Sequence, residues 1–464
     1  MRFHLRQLLI FLLFATFQLA AQEDFVVVRN IIIEGNKKTN DRIITREMSV
    51  KAGDTLYLKK SEAILTLDRQ NITNTNLFVT VNVELTNRSE NKADVLVTVK
   101  ERLYFIFLPV FYLADRNFNE WWYERDRDLR RTIYGIYSRH FNLTGNNDQL
   151  RLRAETGFVS VLDLSYYKPY IDQAQKTGVG FGGFFSTQKQ LAYRIWNDKL
   201  DFLQSENALR KRWGFYSLIN RREGLYQFHT LELGYSAINI ADTVAIRNPN
   251  YLLNRAKNVG YTNINYSYQF DKRDNKQYAL RGKRLFLQAS HYGFFGETKT
   301  NVLSFYGAFT HYFPIKGKFY GNYSIRTKFS TPKLQPFPIA QGLGYRGDLV
   351  RGYELYVVDA QSFGLFKTNF KYQLFDKIFD LSRFIKFKQF NTFPIASYLN
   401  LFLDTGFSNN GVPRLSNSKF GNKWLYGGGV GLDVVTWYNI VGRLNYAIND
   451  LGENRFYFNV SRDF

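Results

Sequence analysis

Residues 454–464 read NRFYFNVSRDF, and their alternation decides the fold. Phe456, Phe458, Val460 and Phe464 share one face of an extended chain; Arg455, Tyr457, Asn459, Ser461 and Asp463 share the other. A strand has a side-chain period of two, so this segment offers one face to an apolar medium and one to water. Back from it, segments of roughly ten residues repeat the pattern as far as residue 103, some 360 residues in all, with no helical period. A soluble sandwich also alternates. Here, however, the polar face is charged and the outward face is rich in aromatics, the combination expected of a membrane β-barrel.

Composition agrees. Apolar content is an ordinary 45%, but aromatics reach 17%, with 32 Tyr and 43 Phe, where a soluble core would draw on Leu, Val and Ile. At 464 residues there is room for one large barrel and one small domain. Residues 1–21 read as a secretory signal peptide. Arg2, His4 and Arg6 form a positive start, Leu8 to Leu19 an apolar stretch, and Ala20-Ala21 a small-residue cleavage site. That stretch falls short of the ~20 residues a spanning helix needs, and no other segment approaches it, which excludes a helical inner-membrane protein. With no cysteine there is no disulfide, no lipid attachment at cysteine and no thiolate chemistry. The net charge of +22 raises the question of nucleic acid. Its Lys and Arg residues instead alternate, as at Arg151 and Arg153 or Arg326 and Lys328, toward an expected lumen, so no nucleic-acid partner is expected.

Residues 24–102 form a different unit. Val26 to Ile33 reads as a strand, Asn40-Asp41 as the cap of a helix to about Met48, and Ser61 as the cap of a second helix. Two strands follow, 77–85 and 93–101, with Val79, Val81 and Val83 on one face and Val95, Val97 and Val99 on one face. This β-α-α-β-β order, with Ile-Glu-Gly-Asn at 33–36 and Asn76-Leu77-Phe78 before the second strand, resembles a polypeptide-transport-associated (POTRA) domain. The resemblance implies a periplasmic module that binds unfolded protein by adding a strand to a sheet edge.

Residues 103–464 parse into about sixteen antiparallel strands, an even number that returns both ends of the barrel to one side. They are placed at 103–113, 130–142, 147–157, 160–169, 177–188, 209–221, 225–240, 258–270, 283–293, 300–313, 318–330, 360–374, 395–406, 424–436, 439–449 and 454–464. Long connections at 114–129, 188–208, 241–257 and 331–359 fall on the outer side. The connection at 375–394 is long yet falls on the inner side.

Three motifs stand on this framework. Val350, Arg351, Gly352 and Tyr353 lie in the longest outer loop. Phe402, Asp404 and Gly406 lie on the thirteenth strand, where alternation turns Asn400, Phe402 and Asp404 to the lumen and Leu399, Leu401 and Leu403 to lipid. An inward carboxylate wants a cation, and a guanidinium can meet it with two hydrogen bonds. Asp271, Arg273 and Asp274, followed by Gly282, lie in the turn after the eighth strand. These three resemble motifs of the BamA/TamA-like outer-membrane protein assembly superfamily, which includes two-partner secretion transporters. Ala279 stands about where that family has a proline. The resemblance also implies that the terminal aromatics Phe456, Phe458 and Phe464 act as a C-terminal assembly signal.

The expectation is an outer-membrane β-barrel with a small N-terminal α+β POTRA domain in the periplasm of a Gram-negative-type bacterium. It would assemble, insert or translocate client proteins by opening the seam between first and last strands. Pro109 in the first strand removes a ladder donor there. Expected partners are outer-membrane lipids, unfolded outer-membrane or secreted clients, and lipoprotein accessory subunits. A dedicated secretion pore and a passive barrel are the alternatives. No catalytic, cofactor or metal site is expected: the histidines (His4, His140, His229, His291, His311) show no ligand spacing, and no phosphate loop or nucleophile elbow occurs.

Overall fold

The computed structural model describes residues 24–293, 300–345, 347–383, 385–386, 392–412, 415–436 and 440–461. Residues 1–21, read above as a signal peptide, and Phe464 lie outside them. The chain divides into two compact units between Arg102 and Leu103.

The N-terminal unit runs β1 (Phe25–Glu34), α1 (Asp41–Thr45), β2 (Thr55–Tyr57), α2 (Leu58–Thr73), β3 (Phe78–Ser89) and β4 (Lys92–Glu101). Its sheet has the order β2-β1-β4-β3, with β1 parallel to β4. Val26 and Val28 of β1 and Val95, Val97 and Val99 of β4 are buried, as are Leu65 and Ile72 of α2, because each element turns one apolar face inward. Two expectations need correction. Helix α2 starts three residues before Ser61, whose hydroxyl donates to the Leu58 carbonyl within the helix instead of capping it. Strand β2 stands between the two helices, where the expected β-α-α-β-β order has none, and pairs with β1 through Val26↔Leu56. Buried Asp68 of α2 accepts from Ser49 N at 2.7 Å, Ser49 Oγ at 2.6 Å and Val50 N at 3.2 Å, fixing the helix to the preceding segment.

The second unit is a 16-stranded antiparallel sheet curled into a barrel. Its strands are β5 (Phe105–Leu113), β6 (Thr132–Phe141), β7 (Gln149–Gly157), β8 (Val159–Lys168), β9 (Thr177–Gln188), β12 (Arg210–Glu223), β13 (Gln227–Ile240), β14 (Asn258–Arg273), β15 (Gly282–Tyr292), β16 (Val302–Lys316), β17 (Phe319–Thr331), β18 (Ser362–Asp380), β19 (Thr392–Asn409), β20 (Trp424–Val435), β21 (Val441–Asn449) and β22 (Asn454–Ser461). A separate hairpin, β10 (Gln190–Trp196) and β11 (Lys199–Gln204), rises from the β9–β12 connection. Outward residues such as Phe181, Phe215, Leu401, Leu403 and Phe456 are exposed and apolar, while the interior is lined by Arg326, Lys367, Asn369, Lys371, Asn400 and Arg443.

The barrel region is not free of helix. Among the described residues, two short α-helices occur in its long connections, α3 (Phe118–Glu124) and α4 (Asp242–Arg247). Helix α4 forms because Val244 and Ala245 close a small apolar core with Leu191, Tyr193, Ile238 and Tyr251 over one end of the wall. No described helix is long and apolar enough to cross a membrane. The connection at 375–394 also differs from expectation. Strands β18 and β19 stay paired as far as Asp380↔Thr392, while β17 pairs only to Tyr372 and β20 only to Ala396. The hairpin therefore projects past both neighbours, because antiparallel pairs such as Phe379↔Phe393 continue beyond the wall.

Candidate functional site

The loop between β17 and β18 turns into the barrel and is fixed there by Arg351. Its backbone N–H donates to Asp404 Oδ2 at 3.1 Å and its Nε to the same oxygen at 2.8 Å, while Nη2 donates to Oδ1. The remaining donors reach Asn369 Oδ1 at 2.6 Å and the Thr368 carbonyl at 3.0 Å. The guanidinium lies over the Phe402 ring, 3.9 Å from its centroid. Asp404 is fully buried and faces a second cation, Lys367 Nζ at 3.3 Å, which also donates to the Leu349 carbonyl. A buried carboxylate flanked by two cations and satisfied by several donors is a strong, geometrically specific anchor.

The rest of the motif packs around it. Gly352 adopts φ +100°, a left-handed conformation natural to glycine, and its carbonyl accepts from Asn449 Nδ2 at 3.0 Å. The loop backbone runs so close to β20 that a Cβ on Gly427 would meet the Arg351 carbonyl oxygen. Val350 lies against Gly406 in an apolar cluster with Leu343, Phe363, Leu365, Phe420 and Leu425. Tyr353 joins that cluster and donates its hydroxyl to Asp450.

Strand β14 runs to Arg273, past its expected end at residue 270, so Asp271 and Arg273 stand on the strand opposite Arg284 and Gly282, and of the three motif residues only Asp274 lies in the β14–β15 turn. Arg273 grips Asp271 with Nε and Nη2, at 2.8 and 2.7 Å, and Asp274 Oδ1 accepts from Asn275 N and Leu280 N. This turn also carries Tyr278 to the wall, where its hydroxyl donates to Asp433 Oδ2 at 2.8 Å and Lys371 Nζ lies 4.0 Å over its ring. Neither Tyr278 nor Asp433 is marked in the sequence by any spacing. Lys367 is likewise hidden, since only the register Lys367↔Asp404 brings it to the anchor.

The seam is built differently. The sheet is continuous from β5 to β22, but among the described residues those two end strands form no ladder with each other. Pro109 faces outward in register with Ile136 of β6, and its nitrogen has no hydrogen to give to either side. At the edge of β22 stands α3. Asn119 Nδ2 donates to the Phe458 carbonyl at 3.4 Å, and Phe458 N–H donates to Asn119 Oδ1 at 3.3 Å. Phe118 meets Phe458 edge to face with ring centroids 6.3 Å apart, and Arg455 lies over the Tyr123 ring. The outward side chains Phe456 and Phe458 are exposed.

Arg116, Asn117, Asn119, Arg326, Arg351, Glu354 and Lys371 help line an interior cavity of about 520 Å³, where six cations face two carboxylates, Glu354 and Asp433, among the described residues.

The family described as POTRA, surface antigen variable number repeat, matches residues 26–102. No curated protein matches the sequence of the chain. Among solved structures, BamA from Haemophilus ducreyi lacking POTRA domains 1–3 superposes with a TM-score of 0.54 at 16% identity, covering 93% of this chain and 84% of that one. CdiB from Escherichia coli gives 0.53 at 12% identity, covering 94% and 75%. At such identities the likeness is one of fold. The chain thus joins a POTRA domain to a sixteen-strand barrel with the fold of BamA and CdiB.

Proposed function

We propose that this protein assembles, inserts or translocates other proteins at the outer membrane by lateral opening of its barrel, with its POTRA domain on the periplasmic side and residues 1–21 removed on export. The observation that carries the reading is the unladdered seam between β5 and β22 in an otherwise continuous sheet. In hydrocarbon a strand edge without partners is costly, so such an edge pairs readily with an incoming strand. Strand β3, at the edge of the N-terminal sheet, offers a second place for strand addition to an unfolded client. The reading is non-enzymatic, and lipoprotein subunits are natural accessory partners for it.

Secretion of one dedicated partner through the lumen is the competing reading. It requires the β17–β18 loop to leave the barrel, breaking every bond that Arg351 makes to Asp404, Asn369 and Thr368. That cost favours the seam. Depletion followed by comparison of the outer-membrane proteome tests the choice. Broad loss of barrel proteins supports assembly; loss of a single secreted protein supports export; an unchanged proteome overturns both.

A further inference from the structure

Strand β22 has one side paired to β21 and one side open. In an antiparallel strand the N–H and C=O of a given residue point to the same side, and alternate residues point to opposite sides. Phe458 directs both groups to α3, so Phe456 and Val460 direct theirs to the same open side. These three residues are the edge an incoming strand would read. Asn119 meets the central one with a primary amide, whose carbonyl and N–H reproduce the acceptor and donor of a peptide unit. One side chain thereby makes both bonds that a residue of a neighbouring strand would make.

The helix carrying Asn119 is pinned firmly on its other flank. Asn117 caps it by accepting from Glu120 N at 2.8 Å, and its amide donates to the Glu354 carbonyl at 2.9 Å. Arg116 Nη1 donates to the Gly344 and Tyr356 carbonyls at 2.7 and 3.1 Å. Buried Glu120 is held by Arg116 and Arg125 at 2.8 and 2.9 Å. The inner bonds are short, whereas the two on β22 are 3.3 and 3.4 Å, at the weak end of the range. Asn119 therefore lets go of the strand before α3 lets go of the loop.

We propose that Asn119 is a releasable latch on the strand-addition edge of β22: it occupies the backbone of Phe458 as a strand mimic, and an incoming client strand displaces it while α3 stays tethered to the lumen loop. This rests on the seam reading above and adds a resting state to it. The seam is capped until a segment with a full ladder to offer competes for Phe456, Phe458 and Val460. The outward aromatics Phe118 and Trp122 keep the capped gap apolar toward lipid.

The test uses the full chain in lipid vesicles with two readouts. The first needs no client: amide hydrogen exchange at Phe458 in the wild type and in Asn119→Ala. Exchange there should rise roughly fivefold, about the effect of one net hydrogen bond, with β18 and β19 amides unchanged. Equal exchange overturns the latch whatever the protein does with clients. The second readout is insertion of an unfolded outer-membrane barrel protein. Asn119→Ala should speed it several-fold, and a short thiol crosslink between Phe118→Cys and Phe458→Cys should block it relative to the uncrosslinked double variant. If the wild type inserts the client while neither change alters the rate, the latch is overturned and the seam reading stands. If the wild type inserts nothing, the functional reading fails, and the exchange result alone decides the latch.

Discussion

Two places where the chain bonds to its own barrel wall differ sharply. At the inner anchor, a charged side chain and a buried carboxylate meet through short bonds, with a second cation and an aromatic face beside them. At the seam, a neutral amide touches a single strand residue through two long bonds beside exposed aromatics. The contrast separates two jobs. A bond network that is dehydrated and fully satisfied is expensive to break and keeps the lumen occupied. A neutral contact at an edge costs little to exchange for a better one. The molecule is closed where passage through it would occur and merely capped where an incoming strand would pair.

The largest expected effect is at the anchor. Asp404→Ala leaves Arg351 and Lys367 facing each other without their carboxylate, which should cost about 3–5 kcal/mol. It should appear as a large drop in the denaturant midpoint for loss of heat-modifiable mobility. Exchanging the charges, Arg351→Asp with Asp404→Arg, should recover part of the loss; no recovery would mean the anchor depends on geometry more than on charge. Tyr353→Phe removes one hydroxyl bond to Asp450, which keeps a donor in Tyr426 N, so roughly 0.5–1.5 kcal/mol is expected by the same assay.

A pH effect should fall on the loop that joins the two places. Glu354, in that loop, is buried, and burial pushes its pKa up to about 7 from 4.5. Its folded form holds the proton more tightly than an unfolded chain would, so its stabilising contribution is full below 4.5 and lost as pH rises through about 7. Protease resistance of residues 332–361 should therefore decline between about pH 5 and pH 8, and Glu354→Gln should flatten the decline. Smallest of all, Asn119→Ala should lower global stability by less than about 1 kcal/mol, although it frees the Phe458 edge. A loss as large as that of Asp404→Ala would erase the distinction between anchor and cap.

The difference between the two places also governs how legible they are in the sequence. A barrel strand announces itself by period two, so β22 and the inward position of Asp404 can be read directly. The cation that meets Asp404 most closely lies in a motif that the eye can find. Lys367 cannot be found that way, because its approach depends on strand register, which alternation leaves undetermined. Helix α3 has seven residues, too few for a 3.6-residue period to show, and Asn119 resembles any polar loop residue until its amide is seen against Phe458. The extension of β18 and β19 was hidden for another reason. A ribbon beyond the wall has no lipid face or lumen face, so exposed Phe375, Ile378 and Phe379 do not sort into the expected pattern.

The most direct test sets one lock against the other in the same cysteine-free chain. Val350→Cys with Gly406→Cys ties the lumen loop to β19, where those two residues already touch, and Phe118→Cys with Phe458→Cys ties α3 to β22. Insertion of an unfolded barrel protein is then measured in vesicles before crosslinking, after it, and after release with a cleavable reagent. The inner tether should leave insertion intact, while the seam tether should abolish it reversibly in a barrel that stays folded. Block by the inner tether together with full activity under the seam tether would contradict the seam reading, and would move the path of the client into the lumen.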